Sequence, residues 1–306
     1  MRRIFALAAV LATCAPAQDT LFTFHSEFWP NLHHFLYVLG RARSSTPDSK
    51  REAVRHAAED VDGLDALDKA DLLAWDAAIA YYQHTLSRQD LVFDRDLVAI
   101  TRTLAANRLE VPADLRRTLE SAAPVYRKVW WTRHDRANQA RIRDFQAMVR
   151  EHGKPVADFL SKAWDHRWPA EGRAIQICAF ANWAGAYSTD GGLIVVSSLD
   201  PGTNGSEGLE TIFHEAMHQW DDDFQGVIRR VAQRVNAPVP RSLSHSLIFY
   251  TAGYAVGKEV RGHKSYADTA GVWERGLFSR QRIEVEWTPY LKGERSMEES
   301  LEKLLR

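Results

Sequence analysis

A helix with two histidines one turn apart is the feature that most constrains how this chain can fold. Apolar side chains recur at helical spacing from residue 209 to residue 220, so one face of the segment is predicted to pack against a core. These side chains are Leu209, Ile212, Phe213, Ala216, Met217 and Trp220. His214 and His218 lie beside this stripe, on one side of the helix, where both imidazoles can reach one metal ion. The sequence therefore predicts a metal site at the edge of a buried helix.

The residue after the first histidine adds chemistry to this site. His214-Glu215-Ala216-Met217-His218 matches the pattern H-E-x-x-H, in which the glutamate can take a proton from a metal-bound water. Two histidines leave room on a tetrahedral Zn²⁺ for a third protein ligand and a water. Zinc lowers the pKa of that water towards about 7, and Glu215 accepts its proton as the water attacks a carbonyl carbon. The motif predicts zinc-dependent hydrolysis with Glu215 as the catalytic base.

Two segments ahead of the helix indicate β-strands, at 174–180 and 193–198, with a turn at 189–192. Ser206 is the expected N-cap of the helix that follows. Strand, loop and H-E-x-x-H helix occur in this order in the zincin superfamily of metallopeptidases, which the segment resembles. In that superfamily a sheet-edge strand binds extended substrate, so the resemblance makes 193–198 the candidate substrate strand. A core strand that contacts no substrate is the alternative.

The third zinc ligand is expected on a second helix, predicted over 243–260. The gluzincin group of zincins carries a glutamate in the middle of such a helix, but here Tyr254 occupies that position. The predicted inward stripe contains His245 and Glu259, which are separated by about 21 Å of helix and cannot both bind one zinc. His245 is preferred because its apolar neighbours predict burial, and a buried imidazole needs a partner. Glu259 is the alternative third ligand, although its charged neighbours favour a surface ion pair. A core histidine with a partner inside the protein is the alternative role of His245.

Further polar residues lie near the motif in sequence. Asp221 and Asp222 follow His218 on the ligand side of the helix, where a carboxylate can orient a ligand histidine or bind the metal. A run of aspartates such as 221–223 is more often simply a solvated helix end. The candidates for stabilising an oxyanion are Tyr250, Tyr254, His263 and Tyr266. Sequence spacing does not choose among these four.

The N-terminal residues have the order of a secretory signal peptide. Residues 1–3 are Met-Arg-Arg, residues 4–14 are mainly apolar, and Ala-Pro-Ala at 15–17 forms an A-x-A cleavage site. We expect cleavage after residue 17 and an exported, periplasmic or extracellular protein; a lipoprotein anchored at Cys14 is the alternative. No integral membrane segment is expected after cleavage. With 39 basic and 40 acidic residues and no basic cluster, no nucleic-acid partner is expected.

The fold class predicted from these patterns is α+β, mainly helical, with a small sheet before the H-E-x-x-H helix. Residues 1–17 are the signal peptide, 18–170 a helical region, and 171–306 a zincin-like catalytic region that ends in closing helices from about residue 283. Separate helices are expected in the first region near 67–88, 93–107, 113–130, 134–152 and 155–164.

These features predict an exported zinc metallopeptidase that acts on a peptide or protein substrate. One alternative is a zinc hydrolase that is not a peptidase. Another is a non-catalytic exported protein that binds metal or a partner through a degenerate site. The absence of the mid-helix glutamate favours the degenerate site, whereas the intact Glu215 favours catalysis because a structural metal site does not need it.

Overall fold

The computed structural model of the chain describes residues 20–44, 51–182, 184–189 and 191–306. The predicted signal peptide at 1–17, including Cys14, lies outside these ranges. The described part is mainly α-helical and has one four-stranded sheet, so the predicted α+β class is confirmed. Within this part, no helix combines the length and the hydropathy needed to cross a membrane.

The strands are β1 (Phe22–His25), β2 (Arg173–Cys178), β3 (Ala186–Ser188) and β4 (Ile194–Ser197). Their order in the sheet is β1-β2-β4-β3. β2 runs parallel to both β1 and β4, whereas β3 and β4 form an antiparallel hairpin. The strands predicted at 174–180 and 193–198 correspond to β2 and β4, and the hairpin turn between β3 and β4 lies where a turn was predicted.

β1 and β3 were not predicted, and both have a weak local pattern. β1 has four residues and pairs with a strand some 150 positions later in the chain, so no nearby sequence signals the pairing. β3 has three residues, too few to show an alternation of apolar and polar side chains. The 18–170 region therefore contributes β1 to the sheet, and the 171–306 region contributes β2, β3 and β4.

The helices of the first region include one long helical run. The first four are α1 (Phe28–Ala42), α2 (Glu52–Glu59), α3 (Lys69–His84) and α4 (Arg95–Ala105). The run comprises α5 (Ala113–Tyr126), α6 (Thr132–Met148) and α7 (Lys154–Trp164), joined by π-helical turns at Arg127–Trp131 and Val149–Gly153. The breaks predicted within 113–164 are therefore absent. A π-turn inserts an extra residue without ending the helix, so it shifts the apolar period in the way a helix boundary does.

The second region contains α8 (Gly205–Met217), α9 (Asp221–Val235), α10 (Leu243–Glu259), α11 (Tyr266–Thr269), α12 (Arg280–Leu291) and α13 (Met297–Leu305). A 3₁₀ turn, His218–Trp220, joins α8 to α9; other 3₁₀ turns are Leu64–Ala66, Leu86–Arg88, Pro201–Thr203 and Trp273–Arg275. The helix predicted over 243–260 is confirmed as α10. The N-cap of α8 is Asn204 and not Ser206, whose hydroxyl is instead paired with Nδ1 of His263 at 2.9 Å.

The sheet separates two hydrophobic cores. Ile175, Ile177, Ile194 and Val196 face the core that contains α8, and the opposite face packs against α1, α3 and α5. The predicted apolar stripe of α8 is confirmed, because its six members are all buried. Each fully buried large apolar side chain stabilises the fold by about 1.5–3 kcal/mol. α8 is therefore held firmly between the sheet and its neighbouring helices, with its histidine-bearing end fixed in place.

Candidate metal centre

Three histidines converge where the end of α8 meets the start of α10. Nε2 of His218 lies 3.1 Å from Nε2 of His214, and Nε2 of His245 lies 3.4 Å from the same atom. One ring nitrogen from each histidine lies within 4.8 Å of the other two. The packing of α8 against α10 sets these separations, because the first two histidines belong to one helix segment and the third to the other.

The nitrogen separations fit a zinc ion. Zn–N bonds are about 2.0–2.1 Å long, so two nitrogens on a tetrahedral zinc are about 3.3–3.4 Å apart. The observed 3.1 and 3.4 Å are close to this edge length. Three imidazoles suit zinc and other transition metals, and three protein ligands leave one position for water or substrate. The triad therefore has the donor set of an open metal centre, and two of its three nitrogen separations are close to those around a zinc ion.

Burial keeps the first two histidines neutral, the state in which an imidazole can donate a lone pair to a metal. His214 is buried, and this burial, together with the neighbouring histidines, lowers its pKa well below the ordinary value. Burial likewise lowers the pKa of His218 to about 4. Nδ1 of His214 has no hydrogen-bond partner among the described residues. The ring of Phe249 fixes the orientation of His214 instead, with the two centroids 3.9 Å apart.

His245 differs from its sequence prediction in one respect. We expected it to be buried among apolar neighbours, but the residue is exposed. The reason is its position in the first turn of α10, ahead of the fully buried Ile248 and Ala252. Its ring packs on Phe249, with centroids 4.8 Å apart, and forms the outer side of the cluster. The metal centre is therefore reachable from solvent on the His245 side.

Glu215 is a buried carboxyl at the side of the triad. Burial raises its pKa to about 7, and a hydrogen bond with Ser188 partly opposes this shift. Ser188 is the last residue of β3, so the carboxyl lies against the end of that strand. A group that titrates near neutral pH can both accept and return a proton under physiological conditions. Burial, and not a charged neighbour, is thus the main cause of the shifted pKa.

The strand beside the centre is β3 and not the predicted segment 193–198. β4, which occupies that segment, is paired with β2 on one side and β3 on the other. Its backbone donors and acceptors are therefore used within the sheet, and no substrate can pair with them. The alternative reading, a core strand, is correct for β4. β3 has the free edge at this end of the described sheet.

The remaining predicted residues separate into two groups. Asp221 lies near the triad: its carboxylate accepts hydrogen bonds from Ser244 and from Nε2 of Gln225. Burial lowers the pKa of His218 and of His245, and the charge of Asp221 partly opposes this lowering. Asp222 is exposed to solvent. Glu259 is exposed at the far end of α10 and does not belong to the histidine cluster. The structure therefore brings His245, and not Glu259, to the two histidines of α8.

Tyr250 and Tyr254 point away from the centre. They follow His245 by five and nine residues, which places them about 140° and 180° around the helix from it. The hydroxyl of Tyr250 bonds Oγ1 of Thr288 at 2.7 Å, and the ring of Tyr254 packs on Phe159 of α7. Neither tyrosine is positioned to contact a substrate at the histidines, contrary to the prediction.

Sequence reasoning missed two neighbours of the centre, Glu210 and Phe249. Glu210 is fully buried one turn before His214, on the same side of α8. The available signal was a glutamate enclosed by an apolar helical stripe, since a buried carboxylate requires partners. Phe249 follows His245 by one turn of α10, so its contact with both helices depends on interhelical packing that spacing alone does not give.

Comparison of the chain with protein-family models, with curated proteins and with solved structures finds no match.

Proposed function

We propose that this protein is a zinc metallopeptidase of the zincin superfamily that the sequence resembles, similar to the gluzincins but with His245 in place of their glutamate ligand. The observation that carries the proposal is the convergence of three imidazoles, with a nitrogen of His214 3.1 and 3.4 Å from nitrogens of the other two, beside a buried glutamate. His214, His218 and His245 would hold the ion. Bound zinc supplies a Lewis acid for a carbonyl oxygen and lowers the pKa of a coordinated water.

Glu215 is the proton carrier in this proposal. Its carboxylate takes the proton of the attacking water and returns it to the amine that leaves when the C–N bond breaks. Ser188 lies beside that carboxylate and favours its ionised form, the form that accepts a proton. The surrounding burial excludes bulk water from the carboxylate, which favours transfer of the proton to the leaving group. The residues around Glu215 thus suit a reversible proton transfer.

The free edge of β3 supports a peptide as the substrate. An extended peptide can pair with an unpaired strand edge through backbone hydrogen bonds, whatever its side chains. Because Ser188 ends this strand beside Glu215, such a peptide would pass the carboxyl that performs the proton transfer. The solvent-facing side of His245 leaves space for the chain to enter and leave.

The test is Glu215→Gln, which keeps the shape of the side chain and removes its basicity. We expect full zinc content and a fall in peptide cleavage of about 10²- to 10⁴-fold, the usual contribution of a general base. Zinc is measured by elemental analysis, and cleavage by mass spectrometry of a peptide library. Asp222→Asn is the matched control, because it removes an exposed carboxylate four residues after His218.

Three results would contradict the proposal in different ways. Unchanged cleavage by Glu215→Gln would show that another group carries the proton. A zinc-loaded wild type that cleaves no library peptide would favour a non-peptidase hydrolase. A wild type that binds no zinc after reconstitution would favour the non-catalytic binding protein.

A further inference from the structure

A serine, a histidine and a glutamate form a hydrogen-bonded series at the start of α8. Nδ1 of His263 is 2.9 Å from the Ser206 hydroxyl, and Nε2 of the same ring is 2.8 Å from Oε2 of Glu210. The side chains of His263 and Glu210 are both only 1% exposed. We call these three residues the Ser206 relay. Ser206 precedes His214 by eight residues, about 12 Å of helix, and both nitrogens of His263 are occupied within the relay. This histidine therefore does not serve the metal centre, where it was a candidate.

The glutamate of the relay fixes the proton on one nitrogen of the histidine. An ionised carboxylate only accepts hydrogen bonds, so Nε2 carries the proton of neutral His263 and Nδ1 has a lone pair for the serine proton. Burial raises the pKa of Glu210, and hydrogen bonds from His263, from the Tyr266 N–H and from Ser265 oppose this rise. The Tyr266 N–H donates to Oε2 at 2.9 Å and the Ser265 hydroxyl to Oε1 at 3.2 Å, which holds the carboxylate in one orientation. His263 is therefore oriented as a general base towards Ser206.

Ser206 is the member of the relay that a substrate can reach. The residue is half-buried and follows Gly205, whose φ of 51° turns the chain into α8. A Cβ at Gly205 would meet no atom within 4 Å, so the space beside the serine is open. The side chain of Asn204 does not cap the helix, and no described residue accepts from the backbone N–H of Ser206 or of Glu207. Two unpaired N–H groups at the positive end of a helix therefore lie next to the serine.

The packing around the relay limits the substrate to one side. Gly253 of α10 lies against it, since a Cβ there would be 2.8 Å from the Ser265 hydroxyl and 3.1 Å from Oε1 of Glu210. A substrate can approach only from the Gly205 side, which favours a short acyl group.

A nucleophile, a base and a buried carboxylate in hydrogen-bonded order have the roles of a serine-hydrolase triad, which is recognised by geometry and not by chain order. A serine that only stabilised the helix would bond a backbone N–H of the first turn, whereas Ser206 is paired with an imidazole. We propose that Ser206, His263 and Glu210 form a second hydrolytic site, independent of zinc, that acts on short-chain, uncharged carboxylic esters. The charge of Glu207, the next residue, disfavours an anionic acyl group. This activity is separate from the proposed peptidase function.

The reaction needs only the relay and water. Oγ of Ser206 bonds the carbonyl carbon of the ester while Nδ1 of His263 takes the hydroxyl proton. The C–O bond to the alcohol then breaks, and Nδ1 gives the proton to the departing oxygen. Water attacks the acyl group in the same way: its proton goes to Nδ1, the acyl–Oγ bond breaks, and Oγ takes that proton as the carboxylic acid leaves. Glu210 is a positioning residue that also stabilises the imidazolium formed in each step.

The first test is covalent labelling of the full-length protein with a fluorophosphonate, whose phosphorus bonds an activated serine oxygen as fluoride leaves. We expect an adduct on the peptide that contains Ser206, formed at the same rate with and without a zinc chelator. Ser206→Ala should give no adduct on this peptide. His263→Gln should slow labelling about 10²- to 10⁴-fold, because the serine loses its base. Thr211→Ala is the matched control, because it removes a hydroxyl of the same helix that bonds the Glu207 carbonyl.

The second test measures turnover of p-nitrophenyl acetate in the presence of chelator. The variants should rank as they do in labelling, and acid-quenched wild type should carry one acetyl group on the Ser206 peptide by mass spectrometry. Chelator removes any contribution of a metal-bound water to ester hydrolysis.

Glu210→Gln separates the charge of the carboxylate from its structural role. The amide oxygen can accept from Nε2 of His263 and from the Tyr266 N–H, so deuterium uptake at residues 263–266 should match that of the wild type. The charge that stabilises the imidazolium is lost, so labelling and ester turnover should fall at least about 10²-fold. A purely structural role of Glu210 predicts unchanged labelling whenever the uptake is unchanged.

Three results would overturn the inference. The first is a folded wild type in which Ser206 stays unlabelled. The second is labelling of Ser206 that is equally fast in His263→Gln; if that variant fails to fold, Glu210→Gln supplies the comparison. The third is ester turnover that stops with chelator and persists in Ser206→Ala, which would assign it to the metal centre. Because every readout is taken without zinc, failure of the peptidase proposal and failure of this inference are observed independently.

Discussion

Removal of His245 should decide whether α10 supplies the third zinc ligand. His245→Ala leaves the His214–His218 pair, whose Nε2 atoms are 3.1 Å apart, as a two-ligand site. The variant removes an exposed ring, so the core of α10 is unaffected. We therefore expect a folded protein with weakened zinc binding, and not a general loss of structure.

The size of the effect follows from the number of ligands. The apparent free energy of zinc binding to a four-ligand structural site is about 10–16 kcal/mol, which is about 2.5–4 kcal/mol for each ligand. Since about 1.4 kcal/mol corresponds to a factor of ten, His245→Ala should weaken binding about 10²- to 10³-fold. At a zinc concentration about 1,000 times the wild-type Kd, binding stabilises the fold by about 4.1 kcal/mol. A hundredfold weaker site would retain about 1.4 kcal/mol of that stabilisation, which lowers Tm by about 5–10 °C.

The assay is a competition titration with a chelator of known affinity, together with the zinc-dependent shift in Tm. Glu259→Ala is the matched control, because it removes an exposed side chain from the same helix and should leave both measurements unchanged. Wild-type affinity in His245→Ala would refute the assignment. If Glu259→Ala then bound weakly, the glutamate would be the ligand; if neither variant changed, α10 would supply no ligand.

Two further predictions concern regions away from the centre. His34 donates from Nδ1 to the Pro30 carbonyl and pairs through Nε2 with Tyr187, and burial lowers its pKa from 6.5 to about 4. The unfolded chain therefore binds a proton that the folded one does not, so metal-free protein should lose about 1.4 kcal/mol of stability per pH unit from this residue as pH falls from 6.5 towards 4. Denaturant titrations at several pH values give the free energy of unfolding as a function of pH. Between pH 4 and 6.5 this free energy should change less steeply with pH in His34→Gln than in the wild type; an equal pH dependence would contradict the prediction. Intact-mass measurement of exported protein should show cleavage after residue 17, whereas a lipid on Cys14 would favour the anchored alternative.

The features that could be predicted from sequence have a local period. The apolar stripe of α8 repeats every three or four residues over three turns, and α10 has a clear start after a proline-containing segment, so both helices were located correctly. β2 contains Ile175 and Ile177 two residues apart, and β4 is mainly an apolar run that follows a turn. His214, Glu215 and His218 form a motif within one helical turn, and nothing beyond that turn is needed to bring them together.

The features that could not be predicted depend on contacts between distant segments. The free edge of β3 depends on strand order, which no three-residue pattern specifies. The buried carboxylate of Glu210 accepts hydrogen bonds from residues more than fifty positions away, His263 and Tyr266, and the Tyr266 donor is a backbone N–H that has no sequence signature. The helical angle alone could have excluded Tyr250 and Tyr254 as groups that stabilise an oxyanion. Residues five and nine positions beyond His245 lie on the opposite side of α10 from it.

The arrangement around the triad favours catalysis over a structural metal site. Structural zinc sites are closed by four protein ligands, whereas three histidines gather here among the described residues, and one of them faces solvent. Glu215 is buried beside them without a charged partner, a position that disfavours its ionised form and lowers stability. A hydrocarbon side chain would fill the same space without that cost. With a metal ion held by the triad, the acid–base group, an open coordination position and the free edge of β3 would lie at one place, which is the combination that the proposed peptide hydrolysis needs.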